Sequence, residues 1–231
     1  MEKFTVLVVG HGKLAEELLQ GLCGDTIARV ARWEDRESME GDPCMVVHAG
    51  SGSQLDDVIG FCSENGSILL QLSTGDSRFP GVIRFPVVVC LNVNMPMLYF
   101  MAMVKHASRY FKGLDIQISE SHQASKRTKP GTAIYLANSL GVPESEIRSE
   151  RDPKIQQEVL GIPSSSLGRH AVHRIVITNP EMELRMETRV LGKSAYASGL
   201  SKIIDMVTQS EMSPGIHDIV DLFINGMQTR A

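Results

Sequence analysis

His122 and Lys126 lie four residues apart in a polar, cationic stretch that also carries Arg127 and Lys129 and runs into Pro130-Gly131-Thr132. An imidazole accepts or donates a proton near neutral pH. An ammonium protonates a nitrogen or holds an anion. A helix opening at Gly131 and Thr132 adds free N–H groups and a partial positive charge, which suit a carboxylate or a phosphate. Taken together, these residues describe an anionic-substrate loop with a proton donor; the same composition also describes a solvated basic loop. A second group sits near the start of the chain, in Gly10-His11-Gly12-Lys13-Leu14-Ala15, a GxGxxA pattern. Gly10 permits a tight turn, Gly12 lets the backbone approach a pyrophosphate, and Ala15 allows close helix–strand packing. That pattern reads as a nicotinamide-dinucleotide turn.

The elements needed to position these groups follow from periodicity. Phe4–Val9 is a continuous apolar run, as expected of a strand buried on both faces. Lys13–Leu22 has helical spacing. Strands are expected at Thr26–Arg32, Met45–His48, Ile68–Leu72 and Val82–Val89, and a helix at Gln54–Glu64 with Ser53 as its cap. Repeated βα units with short links predict a doubly wound parallel sheet. Glu34 then falls 19 residues after Ala15, at the end of the second strand, where a carboxylate meets a ribose 2′-hydroxyl and suits NADH. Arg32 and Arg36 alongside suit the 2′-phosphate of NADPH, so both cofactors stay open. Trp33 can stack on adenine or pack on its own domain.

The pattern then changes. Met95–Phe111 reads as a long helix capped by Asn94 or Asn92, and Asp115–Glu120 as a half-exposed strand. Ser121–Pro130 reads as a loop and Thr132–Leu140 as a helix. From Ile147 the signal is antiparallel, with strands at His170–Thr178 and Met182–Val190; Pro143–Leu167 is expected to hold loops or edge structure. Lys193–Val207 and Ile216–Ile224 read as helices. The fold class is therefore α/β: a Rossmann-type dinucleotide-binding domain, then an α+β domain with an open mixed sheet. The boundary is placed near Leu91–Asn94.

Composition narrows the function classes. Among 231 residues there are 23 Lys+Arg against 27 Asp+Glu, a formal net charge of −4, so no basic excess points to nucleic acid. No apolar run approaches the roughly 20 residues that cross a bilayer. The N-terminus enters a strand without a signal-peptide pattern, so a cytoplasmic location is expected. Cys23, Cys44, Cys62 and Cys90 contain no CxxC pair and read as small hydrophobes rather than a disulfide framework. The methionines Met95, Met97, Met101 and Met103 read as core or interface filling, and no metal constellation stands out.

Glu120-Ser121-His122-Gln123-Ala124-Ser125-Lys126, followed by Pro130-Gly131-Thr132-Ala133, resembles the substrate motif of the dihydrodipicolinate reductases, E-x-H-H-x-x-x-K-x-D-x-P-S-G-T-A. Ser73-Thr74-Gly75, Cys90-Leu91-Asn92-Val93-Asn94, Gly168-Arg169-His170 and the ending Gly215–Leu222 are similar to further family landmarks in the same order. The resemblance covers essentially the whole chain. It implies NADH- or NADPH-dependent reduction of 4-hydroxy-tetrahydrodipicolinate, a dicarboxylate, to tetrahydrodipicolinate in lysine and diaminopimelate biosynthesis. His122 would be the acid/base and Lys126 the proton donor, with a substrate carboxylate on Gly131 and Thr132 and with Gln123 at the second histidine's position. Ser73-Thr74-Gly75, Gly50, Ser51 and Asn92 would border the nicotinamide end of the cofactor, and His11, Lys13 and Leu14 belong to its glycine turn. The implied fold has residues 1–91 and 208–231 in the cofactor domain and 92–207 in a substrate and oligomerisation domain that builds a homotetramer. In this picture the imidazole and ammonium face the nicotinamide across an interdomain cleft.

Two departures touch substrate binding. Gln123 replaces the second motif histidine and cannot titrate, and Thr128-Lys129-Pro130-Gly131-Thr132 is shortened, without the motif's Asp and Ser. They leave two alternatives: a relative that reduces another cyclic imino or keto acid, and a non-catalytic cofactor-binding paralogue. His170 and His173, with Arg169 and Arg174, border the substrate pocket, an exposed sheet face or a subunit contact. His48 reads as local packing.

Overall fold

The computed structural model describes residues 3–39, 41, 43–50, 52, 54–73, 79–127, 130–192 and 196–228. Its contacts divide the chain into two units, residues 1–98 with 196–231, and residues 99–195.

Strand β1 (Phe4–Val9) is buried on both faces, which is why it carries no polar alternation. It leads through Gly10 into helix α1 (Lys13–Gly21), then β2 (Ile27–Arg32), β3 (Cys44–His48), α2 (Leu55–Asn65), β4 (Ile68–Gln71) and β5 (Pro86–Val89). Leu7, Val9, Val46, Leu69 and Val87 pack against Trp33, Val58 and Cys62 to form the core. The strand expected from Val82 begins only at Pro86. A proline has no N–H to give a ladder and is tolerated at a strand's first residue, and Val82 ahead of it is exposed. Ser53, the expected cap of α2, lies outside the described residues. Helix α3 (Met95–Ala107) is capped by Asn94, whose Oδ1 accepts from Met97 N at 3.1 Å, and the predicted last turn tightens into a 3₁₀ segment, Ser108–Phe111.

The second unit is built on β6 (Asp115–His122), α4 (Gly131–Leu140), β7 (Arg148–Glu150), α5 (Pro153–Glu158), β8 (Ala171–Asn179) and β9 (Met182–Val190). Its sheet runs β7-β6-β8-β9. β8 and β9 pair antiparallel as expected, but β7 pairs parallel with β6, which corrects the reading of an antiparallel sheet from Ile147 onward. α5 follows at once, started by Asp152, whose carboxylate accepts from Lys154 N at 2.8 Å, with Pro153 at the first helical position. Ile118, Ile175 and Ile177 from the sheet and Ala133, Leu136 and Ala137 from α4 are buried.

The chain returns to the first unit with α6 (Ala197–Thr208), β10 (Gly215–Asp218) and α7 (Ile219–Gln228). The six-stranded sheet is entirely parallel, in the order β10-β5-β4-β3-β1-β2. The last helix was expected from Ile216. Instead residues 215–218 pair with β5 as the sheet's sixth strand, and α7 starts where Asp218 Oδ1 accepts from Val220 N and Asp221 N at 2.7 and 3.2 Å. The placement of α6 also differs from the sequence-based boundary at 207/208. Glu17 of α1 accepts from the α6 amides of Tyr196 and Ala197 at 2.7 and 3.2 Å, and Thr26 donates to Asp205 at 2.5 Å. These bonds fix α6 to the first unit. No disulfide joins the four cysteines; Cys44, Cys62 and Cys90 are buried, and burial pushes the Cys62 thiol up to about 12. Among the described residues, no helix is long and apolar enough to cross a membrane.

Candidate active site

In the first unit those of the expected cofactor residues that the structure describes lie at the carboxyl ends of β1–β5. β1 lies between β2 and β3, so the order reverses there, and in open α/β sheets ligands bind at such a switch point. Gly10 has φ +119°, and a Cβ on it would come within 2.9 Å of the Gly50 Cα and N. Only glycine fits where these two backbones meet. A Cβ on Gly12 would meet nothing within 4 Å, and Gly12 stands at the start of α1 without a side-chain cap. The helix therefore offers its free N–H groups to an open approach, the condition a pyrophosphate needs. Lys13 and Leu14 form the first turn behind it.

Glu34 is brought to this turn: its Oε1 lies 3.4 Å from His11 Nε2, both side chains being exposed. The two arginines are engaged elsewhere. Arg32 pairs with Glu16 at 2.9 and 3.0 Å, and Arg36 lies 4.5 Å over the Trp33 ring. Trp33 is buried edge-to-face on Phe61, with ring centroids 5.3 Å apart, so it packs in the core and the adenine-stacking alternative is set aside. Ser73 follows β4, and Asn92 follows β5, where its Oδ1 accepts from Asn94 N at 2.8 Å. Ser51, Thr74 and Gly75 lie outside the described residues. His48 is buried beneath Gly50, and burial lowers its pKa against a raising hydrogen bond with Gln71.

In the second unit β6 runs two residues further than the alternation suggested and carries His122 as its last residue. Residues two apart on a strand share a face, so Glu120 and His122 lie side by side, with His122 Nδ1 2.7 Å from Glu120 Oε2. The Glu120 carboxylate is fully buried. Arg151 grips it from the far side, Nη2 to Oε1 at 2.6 Å and Nη1 to Oε2 at 3.0 Å, and its Nε donates to the Lys126 carbonyl at 3.1 Å. Burial alone would raise the Glu120 pKa, but the bonds from His122, Arg151 and Ser149 outweigh it and hold the carboxyl down to about 2. His122 is lowered by burial, opposed by Glu120 and assisted by the charges of Lys126 and Arg151. Lys126 is half-buried and lowered by burial and by the Arg151 charge, which makes it a readier proton donor than a surface lysine.

The loop itself starts with a turn in which Lys126 N donates to the Gln123 carbonyl at 2.9 Å. Gln156 Nε2 donates to the His122 carbonyl at 2.8 Å and to that of Glu150 at 3.1 Å. Gly131 and Thr132 are buried at the start of α4, which packs on β6. Thr128 and Lys129 lie outside the described residues. His170 takes no part in this cluster: it bonds Ser121 at 3.0 Å and the Ser166 carbonyl at 3.2 Å. His173 does, opposing Glu120 across the β6–β8 ladder, with its ring 5.5 Å from that of His122. Sequence reasoning gave no task to Glu120, Arg151 or Gln156. Glu120 was detectable from its spacing to His122 once the strand is carried to its true end. Arg151 and Gln156 carry no local signal, because only the parallel β6–β7 pairing delivers them.

His173 sets an acid limit on this unit. Burial pushes its pKa down to about 3 from 6.5, so the unfolded chain takes up the proton first. Stability is then lost as pH falls from about 6.5 toward 3, by about 1.4 kcal/mol per pH unit. Glu120, lowered to about 2, contributes stability that is present above about 4.5 and lost below it. The melting temperature should drop between about pH 7.5 and about pH 5, and His173→Phe should remove much of that drop. An undiminished drop in the variant would show that another group controls it.

The switch-point turn, the parallel sheet and the separate mixed-sheet unit define a chain of the two-unit Rossmann class. A family model described as "Dihydrodipicolinate reductase, C-terminus" matches residues 97–223. The chain belongs to the dihydrodipicolinate reductase family. Its relatives include 4-hydroxy-tetrahydrodipicolinate reductase 2, chloroplastic, of Arabidopsis thaliana, 33% identical over 126 residues that make up 50% of this chain and 36% of the plant protein. The match thus spans about a third of that relative's length. A 4-hydroxy-tetrahydrodipicolinate reductase of Thermosipho africanus is 23% identical over 204 residues, covering 84% of this chain and 87% of the relative. Among solved structures, the dipicolinate-bound dihydrodipicolinate reductase from Paenisporosarcina sp. TG-14 superposes with a TM-score of 0.63 at 16% identity, over 94% of this chain and 97% of that one. At that identity the likeness is one of fold.

Proposed function

We propose that the chain is a reductase of 4-hydroxy-tetrahydrodipicolinate that uses a reduced nicotinamide dinucleotide and works in lysine and diaminopimelate biosynthesis. The observation that carries this reading is that Arg151 anchors both His122, through Glu120, at the end of β6 and the backbone of Lys126 in the loop that follows, with α4 packed on β6. The family and the names of the relatives support the same reaction.

When bound, the nicotinamide supplies the hydride. Gly10 and Gly12 admit the cofactor's pyrophosphate to the start of α1, and Glu34 takes the adenosine ribose. The substrate's carboxylates meet the Lys126 ammonium and the N–H groups and hydroxyl at Gly131 and Thr132. His122, with Nδ1 committed to Glu120, works through Nε2 on water or substrate. The substrate's 4-hydroxyl group leaves as water, and Lys126 delivers the proton that balances the hydride added to the resulting conjugated imine. A homotetramer built on the open sheet of the second unit and a cytoplasmic location belong to the same proposal, although the plant relatives carry the word chloroplastic in their names.

The test follows reduced-nicotinamide absorbance while dihydrodipicolinate synthase generates the substrate in place. The expected result is substrate-dependent oxidation of the cofactor; binding of cofactor without turnover would end the lysine assignment. Gln123 in place of a second histidine favours one alternative, a different cyclic imino acid, and a substrate screen on the same signal separates the two. Because Glu34 stands at the turn while Arg32 is held by Glu16, NADH is the expected cofactor. Glu34→Ala should raise KM for NADH about tenfold, the worth of a hydrogen bond to a charged group, and leave NADPH nearly unaffected. Equal losses with both cofactors would remove Glu34 from the ribose.

A further inference from the structure

Arg151 uses four donor contacts within one cluster: Nε to the Lys126 carbonyl at 3.1 Å, Nη1 to Glu120 at 3.0 Å and to the Glu150 carbonyl at 2.8 Å, and Nη2 to Glu120 at 2.6 Å. Arg151 lies outside every motif that suggested the reaction. We propose that Glu120 and Arg151 are positioning residues, which together decide which nitrogen of His122 carries the proton and hold Lys126 in register with it. The inference rests on the roles assigned above to His122 and Lys126.

The chemistry follows from donor and acceptor bookkeeping. An ionised carboxylate only accepts. The hydrogen in the 2.7 Å contact between Glu120 and His122 therefore belongs to Nδ1. In the neutral ring Nε2 is then left as the basic nitrogen, and in the cation it is a donor. The carboxylate can stay ionised at zero exposure only because the guanidinium satisfies both of its oxygens. The same planar group also fixes the main chain at Lys126. A single guanidinium thus references the imidazole, through Glu120, and the lysine, through its backbone, to one rigid fork. A lysine at 151 could not reproduce this, because an ammonium is a point charge without a planar array of donors.

Electrostatics give the pair a second consequence. Arg151 cancels Glu120, so the Lys126 ammonium remains as the uncompensated charge of the cluster while His122 is neutral. An anionic substrate is thereby attracted rather than repelled. Among the described residues, the titratable and charged groups that face His122 are Glu120, Lys126, Arg151 and His173. Removing Arg151 takes away a cation and leaves Glu120 to find its proton partner in His122. Removing the Glu120 charge does the reverse.

The experiment is NMR of the full chain with nitrogen-labelled histidine rings, the His122 signals being assigned with His122→Gln and followed against pH. In the wild type, neutral His122 should carry its proton on Nδ1. Arg151→Gln should raise the His122 midpoint by about one pH unit, a tenfold change in proton affinity, and Glu120→Gln should lower it by about as much. Arg151→Lys should bring the midpoint back toward the wild type while turnover stays at least about tenfold reduced. A general loss of structure cannot move the two midpoints in opposite directions. A neutral ring protonated on Nε2, or shifts of the same sign in both variants, would overturn the proposal. If Arg151→Gln does not fold, the wild-type tautomer and the Glu120→Gln shift decide the matter. Should the chain reduce no imine, the reductase reading fails on its own assay, whereas the ring-nitrogen result still stands or falls separately.

Discussion

Lys126→Ala is expected to lower turnover by about a hundredfold or more, with affinity for the reduced cofactor staying within about twofold of the wild type. A positioned general acid contributes about 10²–10⁴ in rate, and alanine removes this one outright. His122 cannot take over, because burial holds its pKa below the ordinary histidine value and leaves it mostly neutral at neutral pH. Lys126→Arg separates two possible roles. It keeps a cation for the substrate's carboxylate but does not release a proton near neutrality. KM should then be largely preserved while kcat stays low. The cofactor turn belongs to the other unit, so equilibrium titration of the cofactor should not register either substitution. Turnover within about threefold of the wild type in Lys126→Ala would remove the lysine from the chemistry.

The largest effect on folding is expected at Gly199. This residue sits inside α6, where a side chain would ordinarily improve the helix, yet a Cβ there would strike the carbonyl oxygen of Val93. The obstacle is main chain, which cannot swing aside as a long side chain can. Gly199→Ala must push α6 off the segment that follows β5, and overpacking of this kind costs about 1–3 kcal/mol and more against backbone. A loss of about 3 kcal/mol corresponds to a melting temperature lower by about 6–12 °C in a chain of this size. Gly60 provides the internal control. It lies within α2, and a Cβ there meets nothing within 4 Å. Gly60→Ala should therefore gain about 0.5–1 kcal/mol from helix propensity alone. Paired melting curves measure both; a Gly199→Ala protein as stable as the wild type would mean that α6 does not rest on Val93.

The difference between those two glycines shows how far this chain can be read from its sequence. Features whose cause is local were legible. β1 announces itself by an unbroken apolar run, α1 by its spacing, and the turn between them by residues whose size alone matters. β8 and β9 appear almost to the residue because alternation on a half-covered sheet is written in the residues themselves. What escaped depends on partners distant in the chain. β10 is four residues long and becomes a strand only by pairing with β5. The amphipathic pattern of α6 says that one face is buried but not against which unit. Its anchors, Glu17 and Thr26, lie at the other end of the chain. At the candidate site, His122 and Lys126 were legible because a short spacing carries both. Ending β6 at Glu120 hid the glutamate's role as neighbour of His122, and no pattern around Arg151 marks it as the residue that holds the cluster together.

The meeting of Gly10 with Gly50 leaves the first unit without a route of genetic repair. When two side chains collide, shrinking the second often rescues enlargement of the first. Here the opposing surface is already bare main chain, so no residue at position 50 is smaller than the one present. An enlarged position 10 would find no compensating partner there, and a suppressor screen would have to recover reversion or a displaced β3 end.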